Sequence, residues 1–197
     1  MKNVWNPIIE VENAHGIREV SLLTRHLMNR RIFLQGEIDS NMADAFLSEM
    51  IFLENESSEP VTIYIDSTGG EITAGLMIYD IICSSSLEIN IICTGMAASM
   101  AAIIFASGKK GHRFILRHSK VMIHEPQLSG NIGASASSIK SLSQSIMEVR
   151  DSVNSILAKH TGKTVEEINE ATVYDNVMNA EKAVEFGICD EILDKIL

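Results

Sequence analysis

The sequence is short of the residues that would divide it, cross-link it or draw it to a polyanion. Across 197 residues it carries three prolines, one tryptophan and three cysteines, and its 16 Lys and Arg face 26 Asp and Glu, a formal net charge of −10. Such a balance excludes general binding along a phosphate backbone, because there is no basic stripe to release counterions. The densest basic stretch, Lys109, Lys110, His112, Arg113 and Arg117, reads as a solvated turn and strand edge. Cys83, Cys93 and Cys189 are odd in number and have neither CxxC nor Cys/His ligand spacing. A disulfide framework and a zinc site are therefore not expected. All three read as small buried apolar residues in a reducing compartment, and nothing calls for a metal or other cofactor. Residues 1–16 lack a continuous apolar run followed by a small-residue cleavage site, so no secretory signal is expected. The uncharged stretch 91–107 is rich in Gly, Ala and Ser and broken at Gly95, which suits a buried strand and helix better than a membrane span. The expectation is a soluble cytoplasmic protein with neither nucleic acid nor membrane as partner.

What is present is apolar: 46 % of the residues are hydrophobic, and a chain of this length buries roughly two-thirds of its unfolded surface. No Pro/Gly/Ser linker, low-complexity block or repeat divides it, so residues 1–197 read as one domain. After an irregular head over 1–30, Arg31-Ile-Phe-Leu-Gln-Gly36 reads as a strand. The stretch 40–53 has helical periodicity, with Ser40 or Asn41 as cap. Val61-Thr-Ile-Tyr-Ile-Asp66 is a β-branched strand running into the turn signal Ser67-Thr-Gly-Gly70 and a helix over 72–83. The unit repeats as a strand over 89–93, a turn at Thr94-Gly95 and a small-residue helix over 96–106. Short strands follow at 114–116 and 121–123. Alternation of this kind implies parallel βαβ crossovers, an α/β fold with a sheet covered on both faces.

One predicted helix stands apart. Over 134–160, Ile139, Leu142, Ile146, Val149, Val153 and Ile156 recur at intervals of 3, 4, 3, 4 and 3, and Gly162 supplies a stop. At 1.5 Å per residue it reaches on the order of 40 Å. It either lies on its own domain or protrudes and packs on another subunit, and its length favours protrusion.

Chemistry is offered at three places. Ser99, in Gly95-Met-Ala-Ala-Ser-Met-Ala-Ala102, stands at a strand-to-helix junction, where free amides and the positive end of a helix stabilise an oxyanion. Taken alone, a serine among alanines is more often a packed small residue. His124 ends a strand ahead of Pro126, and Asp175 sits in Val173-Tyr-Asp-Asn-Val. Each has an ordinary structural reading, a satisfied histidine and an Asp-Asn turn. Gly69-Gly70 could aim a backbone amide at a substrate oxygen or simply make a turn.

Taken together, the motifs decide more. Ser67-Thr-Gly-Gly-Glu-Ile-Thr-Ala-Gly75, Gly95-Met-Ala-Ala-Ser-Met100, Val121-Met-Ile-His-Glu-Pro126, His160-Thr-Gly162 and Ala183-Val-Glu-Phe-Gly187 occur in one order. The series resembles the ClpP family, the peptidase components of ATP-dependent Clp proteases, over most of the chain. The resemblance implies a crotonase-like ClpP/SppA fold of stacked ββα units with a protruding handle helix. It implies a serine endopeptidase that cleaves unfolded polypeptides inside two stacked heptameric rings served by an AAA+ Clp ATPase. Ser99 would be the nucleophile, His124 the base and Asp175 the residue orienting it. The amides of Gly70 and Met100 would form the oxyanion hole, Ile72 and Leu128 would flank an extended substrate, and Tyr64 would belong to the ATPase docking pocket.

Several positions depart from the family pattern. Thr68 and Ala101 replace a proline and a glycine beside the oxyanion hole. Tyr174 stands where many members carry an arginine that pairs between rings. Thr62 and Ser84 thin a docking pocket that is commonly aromatic. These departures suggest a divergent paralogue, active in a mixed-ring tetradecamer rather than alone. Two other readings remain, a crotonase-type acyl-CoA enzyme on the same fold and a scaffold subunit that only completes the ring.

Overall fold

The computed structural model describes residues 6–13, 16–127 and 135–196. The head is more regular than its sequence suggested. Strands β1 (Ile8–Asn13) and β2 (Gly16–Ser21) pair antiparallel, and helix α1 (Leu22–Met28) follows, its N-terminus closed by the Ser21 side chain accepting from the Thr24 amide. Then β3 (Arg31–Ile38), β4 (Val61–Gly70) and β5 (Ile89–Ala98) lie parallel, joined by α2 (Ser40–Glu56) and α3 (Ile72–Ser84). The cap of α2 is Asp39, one residue before the expected pair. Its carboxylate accepts from the Met42 amide at 2.8 Å, a bond that holds its pKa below the ordinary carboxylate value.

Apolar and aromatic residues in register explain the sheet. Leu34, Ile65, Cys93 and Ile115 stand side by side across four strands, each 2 % exposed or less. Phe33, Tyr64, Ile92 and Phe114 form the matching row on the other face, with Phe33 and Tyr64 stacked 5.0 Å apart and His26 of α1 edge-on to Phe33. Cys93 and Cys189 are buried as expected, and burial pushes both thiols up to about 12. Cys83 is exposed, because the last turn of α3 carries it past the packed face.

The sheet forks at β5. Its first half, at Ile91, Ile92 and Cys93, pairs with β6 (Arg113–Leu116); its second half, at Met96, Ala97 and Ala98, pairs with β7 (Lys120–Ile123). Beyond β7 the long helix α5 (Ala136–Thr161) ends on Gly162 at φ 78°. Ala134, the first residue expected in it, lies outside the described residues. All the buried residues of α5 fall from Val153 onward, while Ile139 and Met147 are 50 % and 43 % exposed. The first half of the helix therefore does not cover the core. Helix α6 (Val165–Thr172), β8 (Asn176–Asn179), α7 (Ala180–Phe186) and β9 (Glu191–Leu193) complete the chain. Strand β8 runs antiparallel to β7 and β9 parallel to β6.

Not all of the basic stretch is solvated. Arg113 is 3 % exposed and grips Asp190 through Nε at 2.9 Å and Nη2 at 2.5 Å, while Nη1 donates to the His160 carbonyl at 2.9 Å. Burial alone would raise the Asp190 pKa; hydrogen bonds from Arg113 and the Gly111 amide overcome it and hold the carboxyl below its ordinary value. Truncating Arg113→Ala is expected to cost about 3–5 kcal/mol in urea unfolding, because the buried carboxylate loses its partner. A double Arg113→Met, Asp190→Leu variant should recover much of that loss.

Candidate active site

Local geometry brings the three predicted chemical residues together. Strand β5 ends at Ala98 and α4 (Met100–Ala106) begins at once, which forces Ser99 to φ 55° and ψ −124°. Among the described non-glycine residues only Arg30 shares a positive φ. A side chain in that region stores on the order of 1–3 kcal/mol of strain and persists only where its surroundings over-determine it. The Ser99 amide donates to the Met122 carbonyl at 2.9 Å, and the Ala102 amide to the Ser99 carbonyl at 2.9 Å. Ala97, Ala98, Ala101 and Ala102 pack around the turn with at most 2 % exposure. A Cβ on Gly69 would fall 2.7 Å from both the Ala98 carbonyl oxygen and the Ser99 Cβ. Glycine there, already at φ 90°, is what lets the end of β4 lie against the Ser99 turn.

The fork in the sheet supplies the second residue. Because β7 pairs with the last residues of β5, His124 emerges beside Ser99, and its Nε2 lies 2.9 Å from Ser99 Oγ. The antiparallel β7–β8 pairing sets Ile123 opposite Asn176, so Asp175 arrives next to the imidazole, with Oδ1 3.1 Å from His124 Nδ1. This chain of contacts selects one tautomer, Nδ1–H donating to the carboxylate and Nε2 accepting from the serine hydroxyl. The imidazole is 18 % exposed and the Asp175 carboxylate 63 %.

Beside Ser99 opens a cavity of about 240 Å³. Gly70, Ile72, Met100 and His124 line its mouth, and Ile103, Ile123, Val153 and Leu157 make it apolar. Met100 is the first residue of α4, where a backbone amide has no partner within the helix. Leu128 lies outside the described residues. Tyr64 is distant from this cavity, on the opposite face of the sheet, and only 9 % exposed beneath Phe33.

A second layer went unread in the sequence. The end of α6 holds the residues that follow His124 and Asp175: the Thr172 carbonyl accepts from the Glu125 amide at 2.8 Å, and the Ala171 carbonyl from Asn176 Nδ2 at 3.2 Å. Asn154 of α5, fully buried, anchors that turn by donating Nδ2 to Asn169 Oδ1 at 2.7 Å and to Thr172 Oγ1 at 3.3 Å. A polar residue between Val153 and Leu157, on the buried stripe of a helix, was the available signal.

A family model for Clp protease matches residues 14–196. The chain belongs to the Clp protease family. The match spans β4, α3, α4, β7 and α5, which line the Ser99 cavity, and also β8, which leads from Asp175. Membership of the Clp protease family makes the chain a ClpP-type peptidase, and the mostly parallel sheet with its helices is the α/β fold that family implies. Among the described residues no helix is long and apolar enough to cross a membrane, and no cluster of three His, Cys, Asp or Glu could hold a metal ion.

Proposed function

We propose that this chain is a serine endopeptidase of ClpP type, with Ser99 as nucleophile, His124 as general base and Asp175 as its orienting carboxylate. The observation that carries this reading is the strained Ser99 turn, whose hydroxyl lies 2.9 Å from an imidazole held by a carboxylate. Ser99 Oγ attacks the scissile carbonyl and its proton passes to His124 Nε2. The amides of Gly70 and Met100, at the mouth of the same cavity, receive the oxyanion. The imidazolium then protonates the leaving amine, and water, activated by the same base, releases the acyl group. Ile72 and Leu128 flank an extended unfolded polypeptide, and the apolar cavity favours an apolar side chain before the cut.

A fluorophosphonate probe is expected to label Ser99 stoichiometrically and to fail on Ser99→Ala, with loss of turnover of a peptide carrying leucine before the cut. Labelling elsewhere, or turnover surviving in Ser99→Ala, refutes the assignment. The Ser–His–Asp geometry favours peptide hydrolysis over the acyl-CoA reading, which needs paired amides but no activated serine, and over a scaffold role.

Two stacked heptameric rings, an AAA+ Clp ATPase docking near Tyr64, a handle role for α5 and a cytoplasmic location are parts of the same proposal, supported by family membership. Mixed rings are favoured over homomeric ones by one feature. Tyr174, 84 % exposed next to Asp175, replaces the arginine that in many family members pairs between rings, so a partner subunit that keeps the arginine would restore that contact. Tetradecamers of this chain alone that degrade a protein substrate with a Clp ATPase would sink the mixed-ring reading.

A further inference from the structure

A cavity larger than the one beside Ser99 opens elsewhere among the described residues. About 650 Å³ opens at the ends of α3, α4 and α5, away from the proposed triad. Its floor is aliphatic, made by Ile82, Leu87 and Ile89, and its rim carries Lys109, Lys110 and Lys159. In a chain of net charge −10 this gathering of cations does not follow from composition.

The charges around the cavity are not equivalent. Arg113, at its inner wall, is consumed by Asp190 and the His160 carbonyl. Among the described residues none of the three lysines has a carboxylate within ion-pair distance. Lys159 also acts on His160, whose ring nitrogen lies 3.0 Å from the Tyr79 hydroxyl. Burial first, then Lys159 and Arg113, lowers its pKa to about 4, so the imidazole stays neutral and adds no positive charge of its own. The rim is thus cationic and uncompensated, the floor is apolar, and no Phe, Tyr or Trp is among the described lining residues. The volume falls in the range of small-molecule sites.

We infer that this cavity binds a small amphipathic organic anion, its carboxylate or sulfonate head on Lys109, Lys110 and Lys159 and its apolar body on Ile82, Leu87 and Ile89. The inference stands apart from the triad assignment and needs no peptidase activity for its test.

Cys83 lines the same cavity and is exposed, whereas Cys93 and Cys189 are buried with raised thiol pKa values. Alkylation by iodoacetamide therefore reports on the cavity directly. Anilinonaphthalene sulfonate, an anion of the required shape, is expected to bind the folded assembly saturably and to slow Cys83 alkylation at least fivefold. Decanoate should compete with it. The triple variant Lys109→Gln, Lys110→Gln, Lys159→Gln should weaken binding about tenfold, roughly twofold for each partly screened charge, with unchanged circular dichroism. Because the dye also adheres to other apolar surfaces, the Cys83→Ser protein serves as the control for labelling elsewhere. Unchanged alkylation at saturating dye overturns the proposal, as does equal affinity in the triple variant.

Discussion

Exchanging Asp175→Asn is expected to lower kcat for peptide turnover by about 10²–10³-fold while KM moves less than about threefold. An amide at this position turns its NH₂ toward His124 Nδ1, or water does, and the proton shifts to Nε2. That nitrogen then cannot accept the Ser99 proton. In a triad whose acid is buried, the same change costs about 10⁴. Here the carboxylate is 63 % exposed, so water can take over part of its orienting role and the smaller loss is expected. Ser99→Ala and His124→Ala should each cost about 10⁴ or more. The double Ser99→Ala, Asp175→Asn variant should be no slower than Ser99→Ala alone, because the three groups act as one unit. Full activity in Asp175→Asn would remove Asp175 from the mechanism, and additive losses in the double variant would show that Ser99 is not its target.

The contrast between first and second layer shows what the sequence made legible. Strands such as 61–66 and the helix at 72–83 were readable because β-branched runs and helical periodicity decide them locally. The turns expected at 67–70 and 94–95 lie instead inside strands, the first as the last four residues of β4 and the second within β5. Glycine signals a turn when only the chain itself is considered. Here Gly70 lies against the Ile38 backbone and Gly95 against the Asp66 carboxylate, where a Cβ would overlap its neighbour. The same residues that look like breaks are therefore demanded by close packing between strands. The Asp39 cap was missed by one position because Asp, Ser and Asn in succession all satisfy the same capping chemistry. Ser99, His124 and Asp175 were each ambiguous alone, since 25 and 51 residues separate the paired atoms. Only the fork of β5 between β6 and β7, and the antiparallel β8, make them neighbours. Those pairings rest on strands of four residues with little periodicity to read.

The same topology makes α5 more than a projecting arm. Its buried end carries Asn154, and that side chain is the fixed point for the last turn of α6, which holds Glu125 on one side and Asn176 on the other. His124 and Asp175 are the adjacent residues in sequence. A shift of the α6 turn by even 1 Å would open the 3.1 Å contact between them, and misplacement on that scale can cost about 10²-fold in rate. The near-isosteric change Asn154→Leu removes both donated hydrogen bonds while keeping the volume filled. Thr172 Oγ1 still donates to the Ile168 carbonyl at 2.9 Å, so no hydroxyl is stranded. Asn154 Oδ1 has no partner among the described residues, and its removal relieves an unsatisfied acceptor. Stability is therefore expected to change by less than about 1.5 kcal/mol. Peptide kcat and the rate of fluorophosphonate labelling should nevertheless both fall about 10–100-fold, with KM within about twofold. A loss of stability that accounts for the lost activity would reduce Asn154 to a packing residue. Undiminished labelling would break the link between the long helix and the imidazole.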